Sequence, residues 1–184
     1  MRSIAALVLC FALLAGCSEP PWHMTDISGG MPRLDFRMTA NGKPVTGQTY
    51  RGKVVLLYFG FTHCPDVCPT TLANLTNVLD RVKSPDVQVL FVTVDPDRDT
   101  PEVLADYTKV FSPQITGLRG SANQLAGLAR TYRVAYEVKK GPPYEVMHAN
   151  TVFVFDRDGK ARLVTTDTGD TEAVAGDIRR LLKN

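Results

Sequence analysis

The stretch VVLLYFGFTHCPDVCPTTL, residues 54–72, decides the fold and holds two of the four cysteines of the chain. It opens with an unbroken apolar and aromatic run, which is typical of a strand buried on both faces of a sheet. Apolar residues then recur at helical spacing from Leu72 onward. The pattern predicts a central strand followed at once by a helix, with Cys64 and Cys68 at the junction. Open α/β sheets commonly bind ligands at such junctions.

The two cysteines have a C-x-x-x-C spacing and sit beside prolines. Pro69 suits the first turn of a helix, so Cys68 is expected at the helix entrance and Cys64 in the loop before it. There the positive end of the helix dipole would favour thiolate over thiol at both sulfurs. Two neighbouring thiolates can close a disulfide, exchange disulfides with a substrate, or bind a soft metal. The spacing alone does not choose among these three chemistries.

The chain has 184 residues, of which 44% are hydrophobic and 22% charged, and its formal net charge is +2. This length and composition predict one globular domain with a substantial core. The low net charge, with no basic stripe along the sequence, gives no indication of nucleic-acid binding.

The first thirty residues are predicted to precede the folded domain, residues 31–184. Residues 1–16 combine a positive start with a short apolar run and fit a lipoprotein signal peptide. The motif Leu-Ala-Gly-Cys ends at Cys17, which would become the lipidated first residue. Residues 17–30 contain prolines and glycines and predict a tether, with His23 a tether residue and not a ligand. We therefore expect an exported protein, lipid-anchored to a bacterial membrane, with its domain facing the periplasm or the cell exterior.

Under this interpretation only two of the four cysteines belong to the folded domain. Cys10 leaves with the signal peptide, and Cys17 carries lipid. Only Cys64 and Cys68 remain, in a compartment that permits disulfides. Exported proteins seldom keep two such close thiols without using them, so a reversible disulfide between the pair is expected.

The rest of the chain alternates strand-like and helix-like segments. Strands are predicted at residues 33–38, 87–94, 115–119 and 151–156, a hairpin at residues 134–147, and helices from about residues 101, 121 and 173. This order predicts an α/β fold, a mixed central sheet flanked by helices, with an N-terminal β extension.

Three acids, Asp95, Asp97 and Asp99, follow the second buried strand. They resemble a paired-carboxylate site, but loop hydrogen bonds and helix capping are the favoured interpretation. In that case Pro101 begins a helix that Thr100 or Asp99 caps.

Three motifs together carry a family resemblance. The run YFGFTHCPDVCPTTL resembles the metal-binding motif of the Sco/SenC family of copper proteins, which adopt a thioredoxin-like fold. VTVDPDRDTPEVLADY at residues 92–107 is a second match, and His148 ahead of a late strand is a third. The resemblance implies a copper site, for Cu(I) or Cu(II), formed by Cys64, Cys68 and His148. It also implies that the acidic loop at residues 95–99 lies near this site, for support or partner contact.

Other side chains near the motif are candidates for additional metal ligands. The family commonly has Asp where this chain has Met147, so a thioether could lie near the copper. His63 neighbours Cys64, but its side chain should point away, which favours a packing or surface role. Zinc is the competing metal, yet structural zinc usually takes four ligands. Asp66 would have to be the fourth, and its place between prolines favours a turn residue.

The resemblance implies a metallochaperone rather than an enzyme. Such a protein would deliver copper to the CuA centre in the copper-bearing subunit of cytochrome c oxidase, or reduce the cysteines of that centre. Another periplasmic copper protein is a further candidate partner.

The alternative is a thiol–disulfide oxidoreductase or peroxidase of the same fold, but these generally use C-x-x-C and a cis-proline before the facing strand. Here residues 148–151 contain no proline. A structural lipoprotein with a passive disulfide is the third interpretation.

Overall fold

A six-stranded mixed sheet forms the centre of the computed structural model, which describes residues 21–183. The strands are β1 (Thr25–Asp26), β2 (Arg37–Ala40), β3 (Lys43–Thr46), β4 (Val54–Gly60), β5 (Val87–Thr93), β6 (Ile115–Leu118), β7 (Tyr136–Lys139), β8 (Glu145–His148), β9 (Val152–Phe155) and β10 (Ala161–Thr165). The helices are α1 (Val67–Val82), α2 (Pro101–Phe111), α3 (Ala122–Thr131) and α4 (Thr171–Lys183). The predicted α/β, thioredoxin-like architecture with a mixed sheet is confirmed.

Strand β4 lies in the middle of this sheet, whose order is β1-β10-β9-β4-β5-β6. It pairs in parallel with β5 and antiparallel with β9, and all seven of its residues are buried. The apolar run therefore forms the doubly buried strand that its composition predicts. Because α1 follows β4 after a short loop, the cysteine motif lies at the carboxyl end of the central strand.

The helix boundaries follow from local chemistry. Thr100 caps α2, its hydroxyl oxygen accepting a hydrogen bond from the Val103 amide, and Pro101 occupies the first helical position. Ser121 and Gln124 form a reciprocal capping box at the start of α3. Of the two candidate caps for α2, the structure therefore selects Thr100 over Asp99.

The segment predicted as a tether belongs to the fold where the structure describes it. Met24 is only 4% exposed, and its amide donates a 2.8 Å hydrogen bond to the Asp177 carboxylate in α4. The next two residues form β1, which pairs with β10 at the edge of the sheet. The tether prediction is wrong for this segment because Trp22, Met24 and Ile27 bury apolar surface against the core.

The predicted signal peptide and the predicted lipidation of Cys17 lie outside the described residues. Among the residues that are described, no helix has the length and apolar character needed to cross a membrane.

Two small hairpins complete the fold. Strands β2 and β3 pair around the Asn41–Gly42 turn, so the predicted N-terminal β extension is present, although its strand starts at Arg37 rather than Arg33. Strands β7 and β8 pair with each other in a separate two-stranded sheet. His148, expected in a loop, is the last residue of β8.

Candidate metal centre

The cysteine loop joins the end of β4 to the start of α1. Cys68 is the second residue of α1 and is fully buried, whereas Cys64 lies in the loop and is partly exposed. The Cys68 amide donates a hydrogen bond to the Cys64 sulfur at 3.3 Å. An N-terminal amide that has no partner within the helix is thereby satisfied by one sulfur of the pair. Both cysteines are free thiols.

Gly60 makes room for the buried sulfur. A Cβ added at Gly60 would lie 2.9 Å from the Cys68 sulfur and 2.5 Å from a ring carbon of Phe91. Such contacts are too close for a side chain, so the sulfur packs directly against the backbone of β4. The glycine at the end of β4 is therefore a requirement of the site.

His148 reaches this pocket from the end of β8. Its Nε2 lies 3.2 Å from the Cys68 sulfur, and its Nδ1 lies 3.1 Å from the carbonyl oxygen of Ala149. The imidazole ring packs edge-on against Phe61 and Tyr58, with centroid separations of 5.7 and 6.1 Å. With Nδ1–H donating to the carbonyl, the lone pair of Nε2 points toward the sulfurs, which is the tautomer a metal ligand needs.

The ligand atoms of Cys64, Cys68 and His148 all lie within 4.8 Å of one another. Within the part of the chain that the structure describes, no other group of three His, Cys, Asp or Glu side chains has this arrangement. Two sulfurs and one imidazole nitrogen make a donor set of the softness that copper prefers. The set has three members, which is one fewer than structural zinc usually takes.

Burial shifts the pKa values of two of the three candidate ligands, Cys68 and His148. Burial raises the pKa of the Cys68 thiol to about 12. The expectation that the helix entrance would favour thiolate is not met at Cys68, because desolvation of the charged sulfur has the largest effect on its pKa. Burial also lowers the pKa of His148, so its imidazole is neutral at pH 7. The site without metal therefore holds a protonated Cys68 and a neutral His148.

Metal affinity should rise with pH as a result. A thiol whose pKa is about 12 is protonated at pH 7, and metal binding through sulfur must release its proton. His148 adds no further proton release between pH 7 and 9, because its lowered pKa keeps the imidazole neutral there. We expect the affinity to increase about tenfold per pH unit for each proton displaced. Competition against a chelator of known protonation constants measures this slope, and an affinity that is flat or falls with pH would refute it.

Of the three acids in the loop after β5, Asp99 makes the loop hydrogen bonds that the favoured interpretation describes. Asp99 is fully buried and accepts hydrogen bonds from the Thr62 hydroxyl (2.6 Å), the Thr62 amide (3.1 Å) and the Thr93 hydroxyl (2.5 Å). Asp99 thus holds the loop immediately before Cys64. Asp97 is exposed and pairs with Lys140, while Asp95 is buried and pairs with Arg98.

The remaining candidates lie outside the three-donor group. The His63 side chain is 50% exposed and lies beside Thr62 and Asp99. Asp66 is the exposed N-cap residue of α1 and accepts from the Thr70 hydroxyl at 3.4 Å. Met147 is 63% exposed, and the alternation of β8 places it on the opposite face from His148. The structure therefore offers no support for a thioether directed at the centre.

Several residues that shape the site could not be given this role from the sequence. Thr71 in α1 donates a hydrogen bond to Asn150 at 3.2 Å, tying the loop after His148 to the helix. Tyr58 lies on β4, two residues before Gly60, and its buried ring packs against His148. Only the three-dimensional fold reveals these contacts, since each joins segments far apart in the chain or depends on burial.

The fold and the site together define a class: thioredoxin-like α/β proteins with a three-donor, soft-metal centre beside the central strand. A family model described as SCO1/SenC matches residues 33–183. The chain belongs to this family.

Individual relatives agree with the family assignment. The mitochondrial protein SCO2 homolog of Bos taurus is 41% identical over 161 residues, which cover 83% of this chain and 58% of that protein. The mitochondrial protein SCO1 homolog of Homo sapiens is 41% identical over 143 residues, covering 71% and 47%. The chain thus spans about half the length of the curated relatives it matches.

Solved structures share the fold. ScoI of Bradyrhizobium japonicum with copper bound has a TM-score of 0.74 at 35% identity, covering 82% of this chain and 99% of that one. A SCO1/SenC family lipoprotein of Bacillus anthracis has a TM-score of 0.72 at 27% identity, covering 84% and 96%. BsSco, described as a member of the Sco family of cytochrome c oxidase assembly proteins, has a TM-score of 0.65 at 23% identity, covering 83% and 97%. The last likeness shows the fold alone.

Proposed function

We propose that this protein is a copper metallochaperone that binds copper through Cys64, Cys68 and His148. The observation that carries the proposal is the convergence of two sulfurs and one imidazole nitrogen within 4.8 Å. Copper bound to a relative of 35% identity supports the choice of metal. The donor chemistry supports it independently, because thiolate sulfur selects soft metals and imidazole suits copper.

Copper is the cargo of this site, and its recipient is proposed from the family. We propose that the chain serves the copper-bearing subunit of cytochrome c oxidase, in keeping with the assembly role named for the Sco family. Cys64 is partly exposed at the rim, whereas Cys68 is fully buried. An incoming ligand of the recipient would therefore meet the Cys64 side of the centre first.

A second use of the same cysteines is reduction of the recipient. The two thiols would give two electrons and two protons to a disulfide of the recipient, leaving a Cys64–Cys68 disulfide in this chain. The 3.3 Å contact between the Cys68 amide and the Cys64 sulfur supports this use, because it holds the two residues close. Both uses need the same pair of reduced cysteines.

The geometry gives less support to a general thiol–disulfide oxidoreductase. Between β8 and β9 the chain passes the cysteines without a proline, and the end of β8 directs His148 at Cys68. The one cis peptide bond among the described residues is Pro142–Pro143, in the tip of the β7–β8 hairpin. An imidazole beside the buried sulfur favours metal binding over the docking of a substrate strand.

Metal analysis tests the proposed function. Protein purified and reduced without oxygen, then offered Cu(I) and Zn²⁺ together, should retain about one copper per chain. Cys64→Ala should retain far less copper under the same conditions. Retention of zinc in preference to copper, or equal copper in the wild type and the variant, would overturn the proposal.

We further propose that Cys17 is the lipid anchor. The Leu-Ala-Gly-Cys motif supports this, and the related Bacillus anthracis protein is a lipoprotein of the same family. Several acyl chains hold a protein on a membrane stably, whereas one binds only marginally.

Replacing Cys17 with serine should release the protein from the membrane fraction. The physical reason is that the anchor supplies the apolar area that enters the bilayer. Membrane fractionation with intact-mass analysis measures the effect, and Cys64→Ser serves as a control that should stay bound. Retention of Cys17→Ser on the membrane, with no lipid mass on the wild type, would contradict the proposal.

A further inference from the structure

The β7–β8 hairpin carries the third ligand but does not belong to the central sheet. Among residues 21–183 its strands pair only with each other, from Tyr136 opposite His148 to Lys139 opposite Glu145. The Ala149 amide adds one more backbone hydrogen bond, to the Ala135 carbonyl, and this bond also lies within the hairpin. The ladder of the central sheet therefore does not fix the distance from His148 to the cysteines.

A cluster of three side chains joins this hairpin to the loop after β5. The Tyr144 hydroxyl donates a 2.8 Å hydrogen bond to one carboxylate oxygen of Asp95, and Arg98 pairs with the other oxygen. The Arg98 guanidinium also lies over the Tyr144 ring, 4.1 Å from its centroid. We call Asp95, Arg98 and Tyr144 the Tyr144 latch.

The latch is built on a buried anchor. Asp95 is only 1% exposed, and its amide donates to the Thr93 hydroxyl at the end of β5. A buried carboxylate is costly unless paired, and here Arg98 and Tyr144 satisfy both of its oxygens. By contrast, the pairs Lys140–Asp97 and Lys139–Glu145 are exposed on both sides and contribute little.

The same loop also holds the cysteine side of the centre. Asp99 accepts two hydrogen bonds from Thr62, two residues before Cys64. The Arg98 guanidinium lies 5.9 Å from the centroid of Phe61, and the Phe61 ring packs edge-on against His148. One short loop, residues 95–99, therefore contacts both the segment that carries the sulfurs and the hairpin that carries the imidazole.

We propose that the Tyr144 latch positions His148, by holding the β7–β8 hairpin against the loop after β5 so that all three ligands converge. Asp95, Arg98 and Tyr144 are positioning residues, distinct from the three ligands Cys64, Cys68 and His148. Opening of the hairpin lowers the fraction of molecules that can bind with three ligands, and the apparent affinity falls by that fraction. This inference rests on the proposed function for its copper measurement alone.

Amide hydrogen exchange in the metal-free protein tests whether the Tyr144 latch holds the β7–β8 hairpin closed. Tyr144→Phe removes the hydroxyl bond and keeps the ring, so the Ala149 amide should exchange about threefold to tenfold faster. The amide of Val154, in β9 of the central sheet, should keep its rate and serves as the internal reference. Lys139→Gln is the matched control, because it removes an exposed ion pair from the same hairpin and should change neither rate.

Copper binding tests whether the Tyr144 latch positions His148 for the metal. Tyr144→Ala removes both the hydroxyl bond and the ring under Arg98, so copper affinity should fall about tenfold. The sulfur-to-copper absorption of its Cu(II) form should shift toward that of His148→Ala, a change that a merely structural role would not produce. Lys139→Gln should keep the affinity and spectrum of the wild type.

The outcomes separate this inference from the proposed function. An unchanged exchange rate of the Ala149 amide in both Tyr144→Phe and Tyr144→Ala would overturn the latch, whatever the copper measurement shows. Faster exchange with copper affinity and spectrum like the wild type would overturn the positioning role. Faster exchange in a protein whose wild type binds no copper would support the latch and overturn the proposed function instead.

Discussion

Oxidation of Cys64 and Cys68 to a disulfide should abolish uptake of Cu(I). The disulfide consumes both sulfur donors and leaves His148 as the single remaining ligand of the three. We expect the affinity to fall by more than about a hundredfold, since loss of far weaker outer contacts already costs tenfold or more. The measurement is Cu(I) competition against a chelator, with oxidised and reduced protein compared under nitrogen.

The controls for this prediction use the same two residues. Re-reduction should restore binding, because the pair is close enough for the disulfide to form and open reversibly. The double variant Cys64→Ser and Cys68→Ser should bind weakly in both redox states. Equal Cu(I) uptake by oxidised and reduced wild type would contradict the assignment of both cysteines as ligands.

Replacing His148 with alanine should weaken copper binding by about tenfold or more and change the absorption of the Cu(II) form. The reason is that Nε2 of His148 is the nitrogen atom of the three-donor group, 3.2 Å from the Cys68 sulfur. Ultraviolet and visible absorption, recorded with a Cu(II) titration, reports both effects in one experiment.

His63→Ala is the matched control for His148→Ala. It also removes an imidazole beside the cysteine loop, but that ring is half exposed and lies beside Asp99 rather than within the ligand group. Its affinity and spectrum should stay close to those of the wild type. The assignment fails if His148→Ala binds copper like the wild type, or if His63→Ala is the more damaging of the two.

The elements around the cysteine motif could be predicted because their signals are local. An apolar run, a proline and a helical repeat stand next to one another in residues 54–72, so the buried strand and the following helix could be predicted. His148 was different, since an isolated histidine carries no pattern, and only the family resemblance connected it with the cysteines. The structure then brings its Nε2 to 3.2 Å from the Cys68 sulfur.

The tether prediction and the thiolate prediction fail for the same physical reason. Both depend on how deeply a residue is buried, and local sequence patterns do not report burial. Prolines and glycines near Met24 suggested a tether, but this segment adds a strand to the sheet edge and buries Met24. Helix position suggested a thiolate at Cys68, but desolvation raises its pKa. The Tyr144 latch could not be predicted for a related reason: Tyr144 lies far along the chain from Asp95, and only tertiary packing joins them.

X-ray absorption at the copper edge identifies the ligand atoms of bound copper directly. On reduced protein loaded with one equivalent of Cu(I), we expect a first coordination shell of two sulfur atoms and one nitrogen atom. The nitrogen contribution should vanish in His148→Ala and persist in His63→Ala. A shell without sulfur in the wild type, or a nitrogen contribution that survives in His148→Ala, would contradict a copper site formed by Cys64, Cys68 and His148.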